Sequence, residues 1–412
     1  MPTPLPNKHI VLGVTGSIAC YKAASLASRL TQAGAIVDVI LTDAATQFVS
    51  PITFQSITGR RCFTNEDLWG AEAHVLHVGL ARQADLLVIA PATANTLAKL
   101  ANGQSDDLLG LTALSAGLGP ENPPMLIAPA MDGDMWVHPA TQENVRLLRS
   151  YGATIVGPEE GRLASGMFAQ GRMTEPADLA GYIRLLLTRK GPMRGRRVVV
   201  TAGGTQEPID PVRAITNRSS GKQGVAIAQA ALDEGADVTL ISPPLLIEIP
   251  VGVTHVKAQT AREMQEAVLE SCQEADVLVM VAAVSDFRPV VSAGQKIKKE
   301  SGIPTIQLER NPDILKAVFQ MRQETGKELL VVGFAAETEN LLDNAQEKLE
   351  RKGLAMIVAN DVSAKDAGFS VDTNRVAILD NDGGKEDLPL LSKEEVAERI
   401  IDRIMERLDL TY

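Results

Sequence analysis

The feature that most constrains this chain is a repeated switch of hydrophobic period. HIVLGVTG (residues 9–16) reads as strand and turn, YKAASLASRLTQAG (21–34) as an amphipathic helix closed by glycine, and AIVDVILT (35–42) as a second strand. Parallel strands need a crossover of about a dozen residues or more, and a helix of this length supplies one. The alternation continues through ADLLVIAPAT (84–93), a helix from about Asn95, PMLIAPAM (124–131) and the helical TQENVRLLRSYG (141–152). A parallel, doubly wound α/β sheet is the economical outcome.

The stretch TRKGPMRGR (188–196) is charged, carries Gly and Pro, and separates the helix GYIRLLL from a new strand, RVVVTAGGT (197–205). It places a domain boundary near residue 190, giving domains 1–190 and 191–412. A second series follows in GVAIAQAALDEG (224–235), ADVTLIS (236–242), ADVLVMVAAV (275–284), KELLVVGFAAET (327–338) and LAMIVAN (354–360). The length of 412 residues exceeds what one core accommodates, so two α/β domains with mainly parallel sheets are expected. Both halves open on a strand and a glycine-rich turn, but their loops differ, which does not support a duplication.

Composition removes several function classes. The longest apolar runs, such as VLVMVAAV (277–284), fall far short of the ~20 residues of a membrane span. MPTPLPNKHIVLGV lacks the apolar core and cleavage site of a signal peptide, and three widely spaced cysteines indicate neither a disulfide framework nor a zinc cluster. A reducing cytoplasm is the expected compartment. A net charge of −11 argues against a nucleic-acid partner, because phosphate backbones are held by clustered Lys and Arg. The one dense basic run, KIKK (296–299), suits a local anionic ligand or simply solvation.

In the N-terminal half, Gly13-Val14-Thr15-Gly16-Ser17 reads either as a structural tight turn or as a phosphate site at a helix start. It lacks the GxGxxG spacing of a dinucleotide fingerprint. APATANT (90–96) puts Thr93, Asn95 and Thr96 at the carboxyl end of a strand, as helix caps or as ligand donors. Ala128-Pro129-Ala130-Met131-Asp132 ends another strand at the same rim. His74 and His77 share a helical face in AHVLHVGLARQAD but have no third metal ligand at a recognisable spacing, and pattern alone selects neither as catalytic. RLASGMFAQGRM (162–173) has neither period and reads as a loop around Ser165, broken by Gly166 and Gly171.

In the C-terminal half, TAGGTQEPIDPVRAITNRSSGKQG (201–224) is a long Gly/Ser/Thr loop whose end opens a helix, which suits a phosphate site or a solvated surface. AAVSDFRP (282–289) carries Asp286 to the rim, and NPDIL (311–315) reads as a turn with proline at the first helical position.

Together, GVTGSIACYK, HVGLARQADLLVIAPATANTLAKLANG, DDLL (106–109), APAMDGDMW and GRM resemble the flavin-containing cysteine decarboxylases, the phosphopantothenoylcysteine decarboxylases in particular, over residues 8–180. The resemblance implies a flavodoxin-like or Rossmann-like flavoprotein domain. It implies FMN held by Gly16, Ser17, Thr42, Ala92, Thr93, Ala94, Asn95 and Thr96, His77 as the active-site histidine, and Met131 and Asp132 against the substrate carboxylate and amide. The implied chemistry oxidises a cysteinyl thiol to a thioaldehyde, an electron sink from which CO2 is lost to an enethiolate, before reduction and protonation. RLASGMFAQGRM would then be a substrate flap, with Gly166 and Gly171 permitting closure. Two positions depart from the family. Asp132 stands where asparagine is usual, and a carboxylate there repels a substrate carboxylate unless protonated or paired with a cation. Ser165 replaces the proton-donating flap cysteine and is a far weaker acid than a thiol of pKa ~8.5. These departures leave two alternatives: an N-terminal half that is a flavoprotein scaffold or regulatory module beside an active ligase, and a decarboxylase that stops at the enethiol.

TAGGTQEPIDPVR, NRSSGKQG, AAVSDFRP, KIKK, RNPDIL, GFAAET and AND resemble, over residues 197–361, the CTP-using phosphopantothenate–cysteine ligases of the bacterial fused type. That resemblance implies a Rossmann-like domain with CTP against Met280, Val281, Ala282, Asp286, Lys296, Pro312, Asp313, Ile314, Leu315, Phe334, Lys348 and Lys352. Asn217 would bind the acyl-cytidylate and Lys296 promote its formation or breakdown, with Mg2+ accompanying the nucleotide. Lys348 and Lys352, four apart on a helix, would both reach the triphosphate. The implied substrates are 4'-phosphopantothenate, L-cysteine, CTP and 4'-phosphopantothenoylcysteine. The implied assembly is a homo-oligomer of decarboxylase trimers linked by ligase dimers, up to a dodecamer, with an FMN site shared between subunits.

Overall fold

The computed structural model describes residues 5–69, 75–119, 121–298, 304–337, 341–361 and 371–410. The chain divides into two compact units, Met1–Leu187 and Thr188–Tyr412.

The first unit holds a six-stranded sheet built from β1 (His9–Val14), β2 (Ile36–Leu41), β3 (Cys62–Phe63), β4 (Leu86–Ala92), β5 (Met125–Pro129) and β6 (Thr154–Ile155). Their order is β3-β2-β1-β4-β5-β6, and every pairing is parallel. The crossovers are helices: α1 (Cys20–Gln32), α2 (Asp43–Thr46), α3 (Pro51–Thr58), α4 (Leu76–Gln83), α5 (Ala94–Ala101), α6 (Leu108–Ala116), α7 (Gly133–Val137), α8 (Pro139–Ser150) and α9 (Pro176–Thr188). The central strands β1, β2, β4 and β5 are mainly apolar because both of their faces are covered. Leu12, Val88 and Leu126 face one layer with Leu26, Leu30 and Ile183, while Val11, Leu87 and Ile127 face the other with Leu97, Leu109 and Leu148. The chain reverses direction across the sheet between β1 and β4. A doubly wound sheet binds ligands at that point, outside the carboxyl ends of its strands.

RLASGMFAQGRM is not a loop throughout. β7 (Glu159–Arg162) and β8 (Phe168–Arg172) pair antiparallel, leaving a turn over Leu163–Met167. Period-2 alternation is missing because most residues of this two-stranded ribbon are exposed or half-buried, whichever face they occupy.

The second unit holds an eight-stranded sheet in a related arrangement. β9 (Arg197–Thr201) leads into a small antiparallel hairpin, β10 (Gln206–Pro208) and β11 (Ala214–Thr216), that occupies part of the long loop read from the sequence. There follow α10 (Lys222–Asp233), β12 (Asp237–Ser242), β13 (Thr254–Lys257), α11 (Ala261–Cys272) and β14 (Val277–Met280). β15 (Phe287–Pro289) pairs with β16 (Leu308–Arg310), and then come α12 (Ile314–Thr325), β17 (Leu330–Glu337), α13 (Leu341–Arg351) and β18 (Met356–Asp361). The chain closes with β19 (Thr373–Asn374), β20 (Val376–Asp380), β21 (Lys385–Asp387), β22 (Leu391–Ser392) and α14 (Lys393–Arg407). The order is β13-β12-β9-β14-β17-β18-β20-β21, parallel from β13 to β18 and antiparallel at the β20 and β21 edge. α11, α12 and α13 cover one face, where Met264, Val318 and Leu349 join Val199, Leu278 and Val331.

Candidate active sites

In the first unit, hydrogen bonds from residues at the ends of the central strands draw those ends together. Thr15, 1% exposed just beyond β1, donates its hydroxyl to the Pro91 carbonyl at 2.8 Å and accepts from the Thr93 N–H at 3.1 Å. The Thr42 N–H donates to Val14 O at 3.1 Å, and Ala130 N–H to Ala92 O at 3.0 Å. The residues Gly16, Ser17, Thr42, Ala92, Thr93, Ala94, Asn95 and Thr96 therefore line one rim. Their chemistry suits a phosphorylated, hydroxyl-bearing cofactor. Gly16 approaches α2 so closely that a Cβ there would lie 2.4 Å from the Ala44 Cβ. Ser17 and Thr42 are half-buried, each with a hydroxyl oxygen turned to nearby N–H groups: Ser17 Oγ accepts from Ala19 at 3.2 Å and Thr42 Oγ1 from Ala45 at 3.3 Å. Thr93 caps α5 and its hydroxyl lies 3.0 Å from that of Thr96, while Asn95 is exposed.

Asp132 caps α7, its Oδ1 accepting from the Asp134 N–H at 3.3 Å, a structural use for the oxygen at that position. The Met131 N–H donates to Gly171 O at 3.0 Å, and a Cβ on Gly171 would lie 2.2 Å from the Met131 carbonyl oxygen. Gly171 is therefore a docking point that sets β8 against the end of β5, rather than a hinge. Lys22, 4% exposed, adds a second anchor: its Nζ donates to Met173 O at 2.6 Å and to Glu175 Oε1 at 2.9 Å. The bond from Lys22 holds the Glu175 carboxyl below its ordinary value. Ser165 is exposed at the tip, beside Gly166, whose φ of +88° the turn requires. His77 lies in the first turn of α4, half-buried, with a buried Nδ1 that has no hydrogen-bond partner among the described residues. His74 lies outside the described residues. Among those described, no group of three His, Cys, Asp or Glu is placed to hold a metal.

In the second unit, a cavity of about 980 Å³ opens over the carboxyl ends of β9, β14, β17 and β18. Its wall collects Asn217, Met280, Val281, Ala282, Asp286, Pro312, Asp313, Ile314, Leu315, Phe334, Lys348 and Lys352. Thr201, fully buried at the end of β9, shapes that wall: its Oγ1 accepts from the N–H groups of Val281 and Ala282, both at 3.0 Å. Asn217 Nδ2 donates to Ala283 O at 3.0 Å, and Asn311 Nδ2 to Ser285 O at 2.8 Å, so both loops are pinned to the segment after β14. Asp313, rather than Pro312, occupies the start of α12; it is the cap and accepts from Lys316 N–H at 3.0 Å. It also pairs with Lys352. Burial works to raise the Asp313 carboxyl, but the Lys352 bond and the cap hold it below its ordinary value. Lys348 Nζ donates to Phe334 O at 2.8 Å.

Lys296 is not part of that wall. It is exposed, in a segment fastened elsewhere: Ile297 N–H donates to Asp210 Oδ2 at 3.2 Å, Arg213 Nη2 to Ile297 O at 3.0 Å, and Ala293 N–H to Ile209 O at 2.9 Å. The Arg213 fork drives the buried Asp210 carboxyl strongly downward. The residues missed from sequence are these supports. Thr15 and Thr201 had a readable signal, a threonine closing the first strand in VTG and again in VTAGG. Lys22, Asp210 and Arg213 had none beyond membership of their motifs.

Two family models match: Flavoprotein over residues 1–188, and the DNA/pantothenate metabolism flavoprotein C-terminal domain over 193–408. The coenzyme A biosynthesis bifunctional protein CoaBC of Bacillus subtilis is 43% identical over 403 residues, covering 97% of each chain. Its counterpart in Mycobacterium bovis is 44% identical over 411 residues, covering 97% of this chain and 96% of the other. The chain belongs to the CoaBC family. Among solved structures, a CoaBC C-terminal domain is 40% identical, covers 53% of this chain and 99% of its own, and has a TM-score of 0.46. A Cys-to-Ser mutant of PPC decarboxylase complexed with pantothenoylaminoethenethiol is 33% identical, covering 43% and 97%, with a TM-score of 0.39. No helix among the described residues is long and apolar enough to cross a membrane.

Proposed function

We infer that the protein carries out two consecutive steps of coenzyme A biosynthesis. Residues 191–412 join L-cysteine to 4'-phosphopantothenate through an acyl-cytidylate made from CTP. Residues 1–190 decarboxylate the product, 4'-phosphopantothenoylcysteine, to 4'-phosphopantetheine. The observation that carries this reading is the convergence of twelve ligase-type positions, from Asn217 to Lys352, on one cavity at a sheet's switch point.

A carboxylate is a poor acylating agent until it is activated. In this reading Asn217 orients the acyl-cytidylate, the backbone of Met280–Ala282 forms the floor for the nucleotide, and Lys348 and Lys352 take up phosphate charge. Mg2+ would accompany the nucleotide and neutralise phosphate charge. Lys296 acts only after its segment leaves the Asp210–Arg213 clasp.

In the N-terminal unit, the hydroxyls of Ser17, Thr42, Thr93 and Thr96 and the Asn95 amide would hold FMN. When bound, FMN supplies the two-electron oxidation and its return. His77 and Met131 would sit against the cysteinyl moiety, and the flap would exclude water from it. The final proton comes from a group other than Ser165, an alkyl hydroxyl being too weak an acid. We place the protein in the cytoplasm as a homo-oligomer based on decarboxylase trimers.

The test is product analysis. With 4'-phosphopantothenate, cysteine, CTP and Mg2+, the purified protein should yield 4'-phosphopantetheine, CMP and CO2. Accumulation of intact 4'-phosphopantothenoylcysteine would sink the two-step reading, and persistent enethiol would mark a decarboxylase that stops early.

A further inference from the structure

The ligase cavity has a second cationic end that none of the assigned positions uses. Lys393, at the start of α14, is 4% exposed yet lines the cavity. Its Nζ donates to Val371 O at 2.6 Å. Its carbonyl accepts from Gln223 Nε2 at 3.0 Å, and Gln223 Oε1 accepts from Asn374 Nδ2 at 2.8 Å. Gln223 follows Lys222, the first residue of α10, which also lines the cavity and pairs with Asp372. The two lysines are close enough to act on each other. Burial and then the charge of Lys222 pull Lys393 below the ordinary lysine value, against opposing pulls from Asp372 and Glu394.

The same end holds an orphaned polar atom. Asn360, 8% exposed at the carboxyl end of β18, lines the cavity, and its Oδ1 has no hydrogen-bond partner among the described residues. The β18–β20 register sets Asn360 opposite Val376, two residues beyond Asn374, so it belongs to the Asn374–Gln223–Lys393 cluster. A buried acceptor left unpaired is unfavourable, and two neighbouring ammonium groups favour an anion beside them. One kind of ligand suits both: an anion with several oxygens that carries a hydroxyl or water of its own.

We propose that Lys393, together with Lys222, binds a phosphoryl group of a ligase substrate at an end of the cavity separate from Lys348 and Lys352. Ser219, Ser220 and Gly221 line the cavity at the start of the twelve-residue α10, where hydroxyls and N–H groups add to the two ammonium groups. The group belongs to the nucleotide polyphosphate or to the phosphate ester of the acid substrate. The inference rests on the ligase reading above.

The experiment uses the full chain. Lys393→Gln keeps a donor for Val371 and removes the charge, Lys393→Arg keeps the charge, and Lys393→Met removes both. Calorimetry would measure inorganic pyrophosphate, CTP and 4'-phosphopantothenate, and steady-state assays the KM of all three substrates. Lys393→Gln should weaken either CTP and pyrophosphate, or 4'-phosphopantothenate, by about tenfold or more, as loss of a charged hydrogen bond would. The affected pair identifies the source of the phosphoryl group. Cysteine KM should not move, Lys393→Arg should recover most of the loss, and neither neutral variant should lower the Tm of the free protein. Unchanged affinity for all three phosphorylated probes overturns the proposal. So does a lowered Tm in both neutral variants, because Lys393 is then a structural strut. Wild-type protein that forms no CMP would instead defeat the ligase reading, so the two failures are distinguishable.

Discussion

The two units solve the same problem with the same side chain and then diverge. Each ends its first central strand near a buried threonine, Thr15 and Thr201, whose hydroxyl holds the backbone at the end of the neighbouring strand across the switch point. Thr15 bonds in both senses, to a carbonyl and from an N–H, and keeps an open rim of hydroxyls. Thr201 accepts from two successive N–H groups, bending the chain after β14 into the floor of a deep cavity. The difference follows from what comes next: a short turn into α1 in one unit, and a hairpin-bearing loop before α10 in the other. A shared device does not imply a shared ligand.

The comparison breaks most visibly at the chemistry. His77→Asn should cut CO2 release by ~10²-fold or more, the usual weight of a positioned acid or base. CMP formation should be untouched, whereas Asn217→Ala should do the reverse when 4'-phosphopantothenoylcysteine is supplied to the decarboxylase assay. Equal losses in both assays would mean the sites are not independent.

The threonines themselves come next. Thr201→Val strands two N–H groups and should destabilise its unit by about 3 kcal/mol, raising the CTP KM; Thr15→Val strands only the Thr93 N–H, since Pro91 O keeps its bond from the Thr15 N–H at 3.3 Å, and should cost about 1.5 kcal/mol and leave CTP alone. Denaturant midpoints read separately for the two units would check the order. Gly171→Ala should raise the decarboxylation KM about tenfold, or ~1.4 kcal/mol, by pushing the flap off Met131, with ligase kinetics unchanged.

The smallest effect is a titration. The Asp313 carboxyl is lowered in the folded state, so its contribution is present above the ordinary carboxylate pKa and is lost as pH falls through the folded value. Asp313→Asn keeps the cap and loses the Lys352 charge pair. It should therefore be less stable than wild type at pH 7, by under ~1 kcal/mol, and indistinguishable from it in strong acid.

Period and turn residues were enough to read the alternating fold from the sequence, because buried parallel strands and amphipathic crossovers leave strong signals. Part of the cavity wall in the second unit was legible for the same reason: the residues of AAVSDFRP and NPDIL sit just after strand ends. The supports were not. Lys22 reaches Met173 across 151 residues, and Arg213 reaches Ile297 across 84, distances at which local pattern is silent. The same silence hid the position of Lys296, because a basic run looks alike whether it faces a cavity or is clasped outside one. Residues 162–173 read as a loop because an exposed ribbon has no buried face to imprint a period.

As a cover for a substrate, that ribbon would change the entropy of closing. A twelve-residue loop would have to be ordered residue by residue, at about 1–2 kcal/mol each in backbone freedom alone. Here β7 and β8 are already paired, Gly171 is seated on Met131, Lys22 grips Met173, and the turn itself is closed by bonds from Leu163 N–H to Met167 O at 2.8 Å and from Gly166 N–H to Leu163 O at 3.0 Å, so little backbone is left to order. As a substrate flap, the ribbon would leave binding energy for orientation at the reacting carbon rather than for folding its own cover.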